Sequence, residues 1–129
     1  MAPPTPPPVP AKTVLVVDDD PTIRKIERVV LTMEGFAVSE AGDAVATLEA
    51  VTGVARPFDL ILLDLTLPGV GGEVLIPELR AHSPASRILL VSGIAEEDAA
   101  CLGADGFLSK PFTRVTLLTA VHTTIDKTL

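Results

Sequence analysis

From Thr13 onward, short runs of aliphatic and β-branched residues alternate with longer stretches of mixed polarity. The apolar runs fall at residues 13–17, 37–40, 60–63, 88–91 and 106–108, too short for stable helices and rich enough in Val, Ile and Leu to predict strands. Between Asp20 and Gly35, Ile23, Ile26, Val29, Val30 and Met33 recur at helical spacing. This predicts one helix whose apolar stripe packs on a sheet. Asp20 suits the N-cap, Pro21 the first helical position and Gly35 the exit. Further helices are expected at 43–54, 72–82, 96–102 and 113–125, with Pro77 predicted to kink the third or shift it toward its start.

Strands that alternate with helices are the signature of βαβ units and a parallel sheet. Five of each predict an α/β, flavodoxin-like, doubly wound five-stranded parallel sheet of order 2-1-3-4-5 with five helices. In that order strands one and three are neighbours at the switch point, and their carboxyl ends carry polar anchors. Val14-Leu15-Val16-Val17 stops at Asp18-Asp19-Asp20, Leu60-Ile61-Leu62-Leu63 at Asp64, and Phe107-Leu108-Ser109 at Lys110-Pro111. Clustered carboxylates repel at short range and call for a cation, and hard oxygen ligands favour Mg²⁺. A lysine beside them suggests a phosphate as well.

Composition narrows the picture. A chain of 129 residues, 47% hydrophobic and 21% charged, holds enough apolar material for one core. Six of the 12 prolines lie at positions 3, 4, 6, 7, 8 and 10, so residues 1–11 are expected to be an extended, disordered lead or linker and residues 12–129 the folded domain. A net charge of −7 with 10 dispersed basic residues argues against direct nucleic-acid binding. No run reaches the roughly 18–20 apolar residues of a membrane span, and no secretory signal pattern is present, so a cytoplasmic protein is expected. Cys101 stands alone and is read as a small apolar residue, and His82 and His122 are assigned no chemistry.

The order of these motifs resembles the receiver domains of bacterial response regulators and hybrid histidine kinases. It rests on Val16-Val17-Asp18-Asp19, Asp64-Leu65-Thr66-Leu67-Pro68 followed by Gly72, Val91-Ser92-Gly93, and Gly103-Ala104-Asp105-Gly106-Phe107-Leu108-Ser109-Lys110-Pro111-Phe112. Each is weak alone; in this order, each closing a predicted strand, they are specific. The resemblance implies that Asp64 accepts a phosphoryl group from a histidine kinase or histidine phosphotransfer protein. It implies that Asp18, Asp19, Asp64 and the backbone carbonyl of Thr66 hold Mg²⁺, with Asp19 the direct ligand of the pair and Asp18 able to act through water. Lys110 and the Ser92 hydroxyl would meet phosphate oxygens. Ser92 and Phe107 would form the family's switch pair, and the peptide before Pro111 is commonly cis in the family.

The chain also departs from the common pattern. Gly71 stands where many members carry an aspartate, as in receivers attached to hybrid kinases, and the interval from Ser92 to Gly103 is shorter than usual by about one helical turn. Thr66 and Ile94 occupy positions that tune how readily water attacks the phosphorylated aspartate in this family. The short interval leaves the oligomeric state open. The expected function is a phosphorelay switch, not a conventional enzyme, with no output domain in this chain. Two alternatives remain: an unphosphorylated receiver-like interaction module, and a haloacid-dehalogenase-like phosphatase, whose Asp-x-Asp-x-Thr or Val motif Asp18-Asp19-Asp20-Pro21-Thr22 fits poorly. Gly69-Val70-Gly71-Gly72 lacks the third glycine of a dinucleotide fingerprint and follows the wrong strand.

Overall fold

The structure, a computed structural model, describes residues 11–64, 72–93 and 103–126. Along the chain run β1 (Thr13–Val17), α1 (Pro21–Met33), β2 (Ala37–Ala41), α2 (Ala44–Thr52), β3 (Leu60–Asp64), α3 (Gly72–His82), β4 (Arg87–Ser92), β5 (Gly106–Ser109) and α4 (Arg114–Ile125). All strands are parallel, in the order β2-β1-β3-β4-β5. This is the expected sheet. Four helices lie among the described residues; the one expected at 96–102 falls outside them, as do Thr66, Gly71, Ile94, Cys101 and the proline-rich lead.

Strand alternation sends successive side chains to opposite faces, and both faces are covered. Val14, Val16, Leu60, Leu62, Leu89, Val91 and Leu108 pack with Leu31 of α1 and with Leu117 and Val121 of α4. Leu15, Val17, Ile61, Leu63, Ile88 and Leu90 pack with Val51 of α2 and Leu75, Ile76 and Leu79 of α3. Each fully buried aliphatic side chain contributes on the order of 2 kcal/mol relative to exposure. Together these contacts fix the register that aligns the strand ends.

Local signals set the helix limits. Asp20 caps α1 by accepting from the Thr22 and Ile23 amides, with Pro21 in the first turn, and Gly35 leaves the helix at φ +101°. Asp43 caps α2 through the Ala46 amide, and Thr113 and Thr116 form a reciprocal capping box on α4. Helix α3 spans Gly72–His82, the expected range, and runs through Pro77.

The packed face of α1 differs from the expected one. Ile26, Val29 and Met33 are 47%, 42% and 69% exposed, while Glu27 and Leu31 are buried. Val30, one of the expected stripe, packs against the core beside Leu31, and Glu27 is buried one turn before Leu31, so an acid occupies a core position.

Candidate functional site

Asp18 directly follows β1, and Asp64 ends β3. Val14, Val16 and Asp18 share one parity and Leu60, Leu62 and Asp64 share another that is in register with it, so both acids stand on the α1 side of the sheet. Both are almost fully buried, at 1% and 2% exposure, whereas Asp19 is exposed. One carboxylate oxygen from each of Asp18, Asp19 and Asp64 lies within 4.8 Å of the others.

Lys110 reaches this cluster from the end of β5. Its Nζ donates to Asp64 Oδ2 at 2.9 Å and stands 3.9 Å from Asp18 Oδ2. The Lys110 amide donates to the Ser92 carbonyl at 2.9 Å, which ties the lysine's backbone to the end of β4. The Lys110–Pro111 peptide is cis, as expected. Burial works to lower the Lys110 pKa, but hydrogen bonding and charge from Asp64, with Asp18 and Glu27 adding, carry it above the usual lysine value. Burial is the main cause that raises Asp18; the hydrogen bond from the Asp20 amide opposes it and the Asp64 charge adds to it.

A metal ion fits this donor set. Asp18 Oδ2 is buried and receives no hydrogen bond, so a hard acceptor is left facing the cluster. Among the described residues, three carboxylates face one ammonium, an excess of negative charge that a divalent cation would offset.

Ser92 is fully buried on the neighbouring strand, one residue beyond the Val91 that pairs with Asp64. Phe107 is partly buried against the α2 and α3 side of the core. By strand alternation Ser92 and Phe107 share a face, on adjacent strands whose register pairs Leu90 with Phe107 and Ser92 with Ser109. Ser92 and Phe107 thus stand diagonally across from one another on one face of the sheet. His82 and His122 are half-exposed, near Glu78 at 3.6 Å and Glu34 at 3.3 Å, away from the acidic cluster.

Two residues at the site went unnoticed in the sequence. Glu27 lies behind Asp18, and its pKa is pushed up to about 8, first by burial and then by the charge of Asp18 and hydrogen bonding with it. Glu27 Oε1 is buried with no hydrogen-bond partner among the described residues, and burial beside the Asp18 charge favours its neutral form. The available signal was Leu31: once it is included in the apolar stripe, the Ile23–Leu31 row passes through Glu27. Arg24 is the second, with its guanidinium on the Asp18 carbonyl and on Glu40. Nothing in the local sequence pattern marks that contact.

The chain belongs to the response regulator receiver domain family, whose profile matches residues 14–122. It is 35% identical over 119 residues to the sensor kinase CckA of Brucella abortus, covering 89% of this chain and 13% of that protein. Its fold is similar to chemotaxis response regulator CheY4 of Vibrio cholerae, with a TM-score of 0.78, 27% identity, and coverage of 89% of this chain and 99% of that one. It is also similar to a response regulator protein from Burkholderia pseudomallei, with a TM-score of 0.76, 31% identity, and coverage of 88% and 68%. The chain spans between 13% and 49% of the length of the curated relatives it matches. It is a receiver domain of the two-component signalling type. Among the described residues no helix is long and apolar enough to cross a membrane.

Proposed function

We propose that this domain, spanning residues 12–129 behind a proline-rich lead, is a cytoplasmic phosphorelay switch in which Asp64 accepts a phosphoryl group from a phosphohistidine on a histidine kinase or phosphotransfer protein. The observation that carries this reading is the buried Asp64 carboxylate held 2.9 Å from Lys110 and within 4.8 Å of Asp18 and Asp19. The related Burkholderia pseudomallei structure holds a phosphorylated aspartic acid and a calcium ion, which supports the same chemistry here.

In the transfer, an Asp64 oxygen forms a bond to phosphorus while the phosphorus–nitrogen bond to the donor imidazole breaks. The electron pair of that bond leaves with the imidazole, which takes up a proton. Bound Mg²⁺, held by Asp18, Asp19, Asp64 and the Thr66 carbonyl, would offset the charge spread over the phosphoryl oxygens. Lys110, already bonded to Asp64, carries a compact positive charge to one phosphoryl oxygen, and the Ser92 hydroxyl is assigned to another. Ser92 and Phe107 would then couple phosphorylation to the exposed surface. An apolar groove lined by Ile23, Ile26, Pro111 and Phe112 opens beside Lys110, and it offers a phosphodonor protein a surface next to the acceptor.

Intact mass after incubation with acetyl phosphate and Mg²⁺ tests the assignment. One added phosphoryl group is expected, absent from Asp64→Ala and from protein treated with chelator. Failure to label, together with no Mg²⁺ binding, would favour a receiver-like interaction module instead.

A further inference from the structure

Asp18 and Asp19 are presented by a turn between β1 and α1, and that turn is held from outside the acidic cluster. Asp20 N–H donates back to Asp18 Oδ1 at 2.9 Å, closing the turn from within. Arg24, one helical turn further on, donates from Nη1 to the Asp18 backbone carbonyl at 2.8 Å and from Nε to Glu40 Oε1 at 3.1 Å. Glu40 sits near the end of β2, and its second oxygen lies 3.2 Å from Arg28 Nε. The space for the fork is kept open by Gly42, where an added Cβ would stand 3.1 Å from Arg24 Nη1. Three elements therefore meet on one guanidinium: the end of β1, the first turns of α1 and the end of β2.

We infer that Arg24, braced by Glu40, is a positioning residue for the cation site, holding the Asp18–Asp19 turn at the angle that aims both carboxylates at Asp64. The inference rests on the metal role proposed for those acids. The planar fork reaches the carbonyl and the carboxylate with two separate nitrogens in fixed geometry, whereas a lysine ammonium is a single point on a flexible stem. Residues that orient ligands from behind commonly change metal affinity by about tenfold or more.

Charge and position make opposite demands at this residue. Arg24 is a cation beside an acidic site, so on charge alone its loss would tighten Mg²⁺ binding, and Arg24→Lys would leave binding unchanged. A positioning role requires both variants to bind more weakly. Calorimetric titration of Mg²⁺ into the parent, Arg24→Lys and Arg24→Met, with unfolding curves beside each, separates the two. The expected result is affinity about tenfold weaker in Arg24→Lys and at least as weak in Arg24→Met, in folded protein. Parent-like binding in Arg24→Lys, or tighter binding in Arg24→Met, would overturn the clamp and leave the proposed function standing. Should Arg24→Met not fold, Arg24→Lys decides alone. A parent that binds no Mg²⁺ would overturn both.

Discussion

Glu27 is the residue whose behaviour departs most from its chemistry in water. A carboxyl at 2% exposure, facing Asp18, is costly to ionise, and its pKa rises from the ordinary 4.5 to about 8. A raised folded-state pKa means that the folded protein holds this proton more tightly than the unfolded chain does. The resulting stability is fully present below about 4.5 and is lost as pH rises through about 8. In metal-free protein, Glu27→Gln keeps the size of the side chain and removes the ionisable group, and with it this loss. Urea unfolding across that pH range should show the parent losing on the order of 4 kcal/mol more than the variant. Parallel pH profiles for the two would sink the idea. The sequence hid Glu27 because a glutamate among alternating apolar residues reads as a surface position, and the stripe through Ile26, Val29 and Met33 looked sufficient. In contrast, Asp18, Asp19, Asp64 and Lys110 were legible because each ends an apolar run, and a parallel sheet gathers such ends along one edge.

At the scale of elements, caps and turns were readable because they depend on neighbours in sequence. Asp20, Pro21 and Gly35 each do at their positions what their chemistry favours, and Asp43 and Thr113, where helices were expected to begin, prove to be N-caps. Rotation of a helix about its axis is not local. Which face α1 buries depends on the sheet beneath it, and three of its apolar residues stay exposed on the side that carries the groove beside Lys110. Close approach between elements is equally non-local, and β5 against α4 is the tightest case. A Cβ at Gly106 would collide with Thr124 Oγ1 and stand 3.1 Å from Leu89 Cδ1. Gly106→Ala should therefore cost about 1–3 kcal/mol by overpacking. Adding Thr124→Ala should recover part of that loss, a coupling that a double-mutant cycle in urea measures. Additive effects would show that α4 yields without strain.

For the whole molecule, the acidic edge concentrates negative charge that the proposed cation would offset. Two buried acids, Asp18 and Asp64, share one lysine, and the exposed Asp19 adds a third carboxylate at the rim. Everything that positions them belongs to the folded state: the β1–β3 register, the Asp20 and Arg24 bonds to the turn, and the Ser92 carbonyl under Lys110. The unfolded chain has no comparable site, so Mg²⁺ should bind the folded state alone and shift the unfolding equilibrium by mass action. At a free concentration ten times Kd this adds about 1.4 kcal/mol. Thermal unfolding should move upward with Mg²⁺ in the parent along the curve set by the calorimetric Kd. Asp64→Ala should show a much smaller shift, because it removes one of the three carboxylates and leaves Lys110 to neutralise Asp18. Because the chain has neither Trp nor Tyr, circular dichroism or calorimetry is the suitable probe. An equal shift in parent and variant would mean that the ion acts elsewhere on this acidic protein, and the edge of the sheet would lose its place as the metal centre.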